Sequence, residues 1–181
     1  MRYASMRSLD ISNGEGTGIS LFVQGCHKHC KNCFNPETWD FNGGKEWNSK
    51  SIDELNTLLK RPYIKRFTIL GGEPLALENI EEVLLIISFA RAAREDIKIW
   101  LYTGNVLDDS DFRPINERAF VNIKDEYLFE AINNCDVIID GPYIDELRDI
   151  RLKFRGSSNQ RIIDVRASQK RGKIVLWGEN N

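Results

Sequence analysis

The sequence predicts an α/β fold: an open, partial (β/α) barrel with a mostly parallel sheet of about five or six strands. Short apolar runs typical of strands alternate with longer amphipathic stretches typical of helices along the 181 residues. Each crossover helix returns the chain, so successive strands run in the same direction. The strands are too few to close an eight-stranded barrel.

Apolar runs predict strands at residues 18–23, 67–70, 97–101 and 137–139, and weaker patterns predict two more at 161–165 and 173–177. Helical spacing of apolar residues predicts one helix from Ser51 and others over 78–94 and 125–134. Ser51 and Glu54 have the spacing of a capping box at the start of the first helix, and Pro62 helps to end it. Residues 42–45 and 108–124 are expected to be loops.

Composition indicates one globular domain over residues 1–181, with 41% hydrophobic residues and a formal net charge of −2. Without a basic surplus, neither nucleic acid nor an anionic membrane is an expected partner. The apolar runs are too short to cross a bilayer, and no secretory signal precedes them. We therefore expect a cytoplasmic protein, in which four cysteines are not a disulfide framework.

Chemistry-bearing residues follow the predicted strands, and the carboxyl ends of parallel strands share one edge of a sheet. The segments are Gly25 with Cys26, Gly71 through Pro74, Tyr102 with Thr103 and Gly104, and Asp140 with Gly141. Although they are spread over more than a hundred residues, we expect them to meet in one pocket.

Cys26, Cys30 and Cys33 form a C-x3-C-x2-C run, which lets one loop surround a metal centre with three thiolates. A ferredoxin cluster has four cysteine ligands, so a missing local fourth indicates an iron left open to another ligand. The alternative is a structural zinc site with His27 or His29 as fourth ligand. Cys135 stands apart and is expected to be a small core residue.

The sequence resembles the radical S-adenosylmethionine superfamily in two motifs. The cysteine run is followed by the aromatic Phe34, and a Gly-Gly-Glu-Pro segment begins at Gly71. The resemblance implies a [4Fe–4S] cluster on the three cysteines, with S-adenosyl-L-methionine chelating the fourth iron. It further implies cofactor contacts from Asn32, Cys33, Phe34, Gly71, Gly72, Glu73, Thr103 and Asp140, although Asp140 suits a turn or cap equally well.

Within that superfamily the chain is similar to the activating enzymes of anaerobic ribonucleoside-triphosphate reductase. The shared features include Asn-Gly-Glu-Gly at 13–16, Cys-Phe-Asn at 33–35 and Arg-Gly-Ser-Ser-Asn-Gln at 155–160. One departure is Thr17-Gly18, where the family often has arginine. The similarity implies reductive cleavage of S-adenosylmethionine and transfer of the radical to a glycine of the reductase large subunit. A low-potential donor such as flavodoxin would supply the electron.

Other functions stay open on the sequence alone. The chain could activate a different glycyl-radical enzyme, such as pyruvate formate-lyase, or act on a small molecule with the same cofactor. A zinc-binding interaction module without catalysis is the non-enzymatic alternative. The 155–160 segment fits either the cofactor pocket or a docking rim. At Gly72 we expect that a residue without a Cβ is needed, so that the backbone can approach the ligand closely.

Overall fold

The computed structural model describes residues 1–114 and 122–178 and has one seven-stranded sheet in the order β3-β1-β2-β4-β5-β6-β7. The strands are β1 (Arg2–Asp10), β2 (Gly18–Val23), β3 (Lys45–Glu46), β4 (Arg66–Gly71), β5 (Lys98–Tyr102), β6 (Val137–Asp140) and β7 (Arg161–Asp164). Strands β2, β4, β5 and β6 pair in parallel, whereas β1, β3 and β7 pair antiparallel at the edges. The open, mixed sheet agrees with the predicted partial barrel and has more strands than expected.

The helices are α1 (Ser49–Leu59), α2 (Ile80–Ala93), α3 (Ile123–Asn133) and α4 (Val165–Arg171). The main core includes Leu21, Ile69 and Leu101 from the sheet and buried residues of all four helices. A smaller cluster around Trp100 and Ile139 lies on the opposite face, because side chains alternate along a strand. No helix in the described ranges is both long and apolar enough to cross a membrane.

Two strands near the amino terminus were not predicted. Most residues of β1 are exposed or half-buried, so the strand lacks the apolar alternation that would reveal it. It pairs along β2, with Met6 opposite Leu21, and its start pairs with the two-residue β3. The expected loop over residues 42–45 therefore ends in a short edge strand.

Helix α1 begins two residues before the predicted capping box. Asn48 is the cap, and its side chain accepts a hydrogen bond of 3.0 Å from the Lys50 amide. Ser51 is buried and donates to the Tyr3 hydroxyl at 3.2 Å. The capping-box prediction was wrong because asparagine caps as well as serine and stands earlier in the chain.

The chain after β7 also differs from prediction. Residues 165–171 form α4, capped by the Asp164 carboxylate and ended by Gly172 in the left-handed conformation. The predicted strand at 173–177 is absent, since only an isolated bridge joins Leu176 to Ile163. Part of the expected 108–124 loop lies outside the described residues; its described ends hold a 3-10 helix at Asp109–Phe112 and the start of α3.

Arg66, at the start of β4, is a fully buried cation in the centre of the sheet. Its guanidinium donates to the backbone carbonyls of Asp10, Asn13 and Glu15, and it pairs with the Asp10 carboxylate at 3.1 Å. Burial pushes the pKa of Asp10 up, but hydrogen bonds from Asn13 and Arg66 outweigh it, and the pKa lies below its usual value. Arg66 thus holds the loop between β1 and β2 against the sheet.

We expect Arg66→Met to lower the free energy of unfolding by about 3–5 kcal/mol, because it leaves the Asp10 carboxylate buried without its partner. Urea denaturation measures this change. Arg151→Met is the control, since Arg151 is exposed where it pairs with Asp149, and it should change stability little. Equal, small effects of both substitutions would contradict the role given to Arg66.

Candidate functional site

A cavity of about 400 Å³ lies at the carboxyl ends of the parallel strands. Its lining combines the cysteine loop, segments that follow strands β4 to β6, and the 155–160 loop. The lining includes Cys26, Cys30, Cys33, Phe34, Gly71, Gly72, Glu73, Thr103, Gly104, Gly141, Arg155, Gly156 and Gln160. The fold therefore brings together most of the predicted site residues, as the strand-end argument requires.

The cysteine loop turns twice so that its three thiols line the same cavity. His29 and Asn32, which precede the second and third cysteines, adopt left-handed backbone with φ of 44° and 54°. The Lys28 amide donates to Cys26 Sγ and the Asn35 amide to Cys33 Sγ, each at 3.4 Å. Such N–H···S bonds are typical of cluster thiolates, and the three-thiol donor set fits an iron–sulfur cluster.

Both edges of the cysteine loop are attached to the rest of the chain. On the inner edge, backbone bonds join Gly25 to Thr38 at 2.8 Å and Cys26 to Trp39 at 3.0 Å. On the outer edge, side-chain bonds join Lys31 to Glu146 and Asn32 to Asp145. Burial raises the pKa of the Cys26 thiol, so metal ligation must displace a proton there.

Gly72 lines the cavity, but the reason why this position needs a residue without a side chain differs from the expected one. A Cβ at Gly72 would lie 2.4 Å from the Gly25 carbonyl oxygen, so backbone rather than ligand fills the space. The Gly72 amide also donates to the Val23 carbonyl at 2.9 Å. The absence of a side chain lets the cysteine loop sit directly against the end of β4, and a larger residue would displace Gly25 beside Cys26.

Glu73 is buried and connects the ends of three strands. Its amide donates to the Gly25 carbonyl at 2.8 Å. Its carboxylate accepts from the Thr103 hydroxyl at 2.7 Å and from the amides of Gly104 at 2.8 Å and Leu75 at 3.0 Å. Burial raises the pKa of Glu73, and these three donors act in the opposite direction.

Asn32 and Asp140 lie outside the cavity lining, and both have protein partners. Asn32 donates to Asp145 at 2.7 Å. Asp140 is buried, forms an ion pair with Arg161 and accepts from the Leu107 amide at 2.9 Å. The structure thus gives Asp140 the cap-like role that was its alternative, and cofactor contact by either residue stays a prediction.

The 155–160 loop forms a wall of the cavity rather than a free turn. The Gln160 side-chain oxygen accepts from the Gly156 amide at 2.9 Å, and its nitrogen donates to the Gly141 carbonyl at 3.1 Å. A Cβ at Gly156 would lie 2.6 Å from the Phe34 ring. The Phe34 ring centre is in turn 4.9 Å from that of Tyr143, which sequence reasoning did not single out.

The histidines of the cysteine loop are engaged elsewhere. His27 bonds Glu78 at 2.8 Å, and the His29 ring stacks on Trp39 with centres 4.5 Å apart. Among residues 1–114 and 122–178, no three His, Cys, Asp or Glu side chains are arranged around a single metal ion. Cys135 is fully buried, as predicted for a core residue, and burial raises its pKa.

A loop with three cysteines lies over the carboxyl ends of the parallel strands, an arrangement that fits a domain with a single iron–sulfur cluster. Residues 12–163 match the family model of a 4Fe-4S single cluster domain, which favours a cluster over zinc. The chain belongs to the family of anaerobic ribonucleoside-triphosphate reductase-activating proteins, as its similarity to curated members shows.

The relatives that carry this name align over nearly their whole length. The Haemophilus influenzae protein is 36% identical over 88% of this chain and 96% of its own. The Enterobacteria phage T4 protein is 35% identical over 90% and 93%, respectively. The Escherichia coli K12 protein is 33% identical over 92% of this chain and 100% of its own.

We expect Glu73→Gln to weaken the hydrogen bonds that connect the end of β4 to the end of β5. A glutamine amide would point its own N–H groups at the donors that now bond the carboxylate, lowering the free energy of unfolding by about 1–3 kcal/mol. Hydrogen–deuterium exchange of the Gly104 amide should become faster. Glu78→Gln, at an exposed glutamate of the same segment, should leave that exchange unchanged. Equal exchange rates in both variants would contradict the role of Glu73 in holding Gly104.

Proposed function

We propose that this chain activates anaerobic ribonucleoside-triphosphate reductase by generating a glycyl radical on its large subunit. The observation that carries the proposal is that the three motif cysteines and the Gly71 to Glu73 segment line one cavity, in a chain of this family. Family membership favours the reductase over pyruvate formate-lyase or a small molecule as the substrate.

The cofactors supply the hard chemistry, and the chain supplies position and shelter. When bound, the [4Fe–4S] cluster and S-adenosylmethionine would together supply reductive cleavage of a carbon–sulfur bond, with methionine as one product and removal of a hydrogen atom from the glycine as the result. Cys26, Cys30 and Cys33 would hold three irons and leave the fourth to S-adenosylmethionine. No acid–base residue is needed for this step.

The remaining lining residues would orient S-adenosylmethionine. The segment from Gly71 to Glu73 would receive the methionyl amine, while Phe34 would contact the nucleoside, with the 155–160 loop behind it. Thr103, held by Glu73, would complete the wall. We further propose that residues 1–181 form one such domain, that the chain acts in the cytoplasm and that flavodoxin or a similar donor supplies the electron.

The cluster assignment predicts that anaerobically reconstituted protein holds about four irons and four sulfides. Alanine at Cys26, Cys30 or Cys33 should abolish the cluster, because each removes one of its only protein ligands. Cys135→Ala, the matched control in the core, should retain it. Iron and sulfide analysis measures the outcome, and electron paramagnetic resonance after mixing with the reductase detects the glycyl radical. Stoichiometric zinc without iron would overturn the proposal.

A pocket role for the 155–160 loop predicts that Gly156→Val lowers S-adenosylmethionine cleavage even without the reductase. The new side chain would displace the Phe34 ring, and such misplacement costs roughly tenfold to a hundredfold in rate. The readout is 5′-deoxyadenosine formed with dithionite alone. Ser158→Val, at an exposed position of the same loop, should behave as wild type. Normal uncoupled cleavage by Gly156→Val with a lost glycyl radical would instead assign the loop to docking.

A further inference from the structure

Three cationic side chains line the cavity, and two of them have partners within the protein. Arg7 lies 3.6 Å from the Asp10 carboxylate and over the Phe22 ring. Arg155 donates to the Gln160 carbonyl at 2.7 Å. Lys28 is different, because within the described part of the chain its ammonium makes no hydrogen bond and no ion pair within 4 Å.

The aliphatic stem of Lys28 is laid across the segment that follows β5. A Cβ at Gly104 would lie 2.4 Å from Lys28 Cδ and 2.7 Å from Cε, so a larger residue at this position would push the stem aside. Its backbone is fixed as well, since the Lys28 amide donates to Cys26 Sγ at 3.4 Å. The lysine therefore bridges from the cysteine loop to the Gly104 wall of the cavity.

The Glu73 carboxylate, which lies near Lys28 on this wall, is already engaged by other donors of the protein. Glu73 interacts electrostatically with the lysine, but its oxygens accept from Thr103, Gly104 and Leu75. A buried carboxylate held by three neighbouring donors is not free to follow a flexible ammonium. Among the described residues, Lys28 thus offers a positive charge without a hydrogen-bonded partner, beside the segment that would receive the methionyl amine.

We propose that Lys28 binds the carboxylate of the methionyl group of S-adenosylmethionine, an inference that rests on the proposed function. The amine and the carboxylate are attached to the same carbon atom, so the group that binds the carboxylate must adjoin the Gly71 to Glu73 segment. Lys28 is exposed and lines the cavity, where its ammonium can form a charge-assisted hydrogen bond with one carboxylate. The lysine thereby selects for the amino-acid end of the ligand.

Equilibrium binding without reductant tests the inference apart from turnover. Calorimetry on the reconstituted protein compares S-adenosylmethionine with its decarboxylated analogue. Lys28→Met should weaken S-adenosylmethionine binding roughly tenfold, while affinity for the decarboxylated analogue stays within about twofold of wild type. Lys28→Arg should restore part of the loss, because it keeps the charge.

Lys31→Met is the matched control, since it removes the same charge from the same loop. Lys31 lies outside the lining and pairs with Glu146 at 2.8 Å, so both affinities should stay at the wild-type value. Iron content and the resonance spectrum of the reduced cluster, measured on every variant, should be unchanged.

Two results would overturn the inference while leaving the proposed function intact. Equal weakening of both ligands by Lys28→Met would mean that the lysine acts through the loop or the cluster. Unchanged binding of both would mean that it is an ordinary solvated side chain. Wild-type protein that holds its cluster and binds neither ligand would contradict the proposed function itself, and the inference with it.

Discussion

The buried carboxylate of Glu73 is the contact on which the geometry of the cavity depends. Through its amide it fixes Gly25, next to the first cysteine, and through its side chain it fixes Thr103 and Gly104. Three strand ends that are distant in sequence are thereby held at fixed positions. A carboxyl group is suited to this task because its two oxygens accept several hydrogen bonds at once.

Strand β4 has a second buried ionisable side chain at its opposite end. Arg66 begins the strand and holds the loop that follows β1, whereas Glu73 lies just beyond the strand and holds the loops above the sheet. At its amino end β4 therefore positions the loop between β1 and β2, and at its carboxyl end it positions the wall of the cavity. Burying either side chain without its hydrogen-bond partners would be costly, so each also requires its surrounding loops to fold correctly.

The sequence predicted the parallel strands and the cysteine loop, because both rest on local patterns. Buried strands are continuous apolar runs, and the cysteine spacing is chemically restrictive. The polar strand β1 and the seven-residue α4 escaped prediction, since their apolar residues are too few to define a period. Arg66 was not singled out, although its position gave a signal. A charged residue that begins a buried, mostly apolar strand needs a buried partner.

Contacts between loops that are distant in sequence could not be predicted in the same way. Nothing local to Gly72 reveals that Gly25 backbone fills the space beside it, and nothing local to Lys28 reveals that it crosses Gly104. The prediction of a shared pocket succeeded because strand topology decides it. The identity of each contact depends on distances between loops, which no spacing along the chain encodes.

The unequal attachment of the cysteine loop has a consequence for how firmly each cysteine is held. Its inner edge is held by backbone bonds to Thr38 and Trp39, whereas its outer edge is held by solvent-exposed side chains that pair with Asp145 and Glu146. Exposed pairs exchange readily with water and weaken with salt. The edge of the loop that carries Cys30 and Cys33 is therefore held less firmly than the edge beside Cys26.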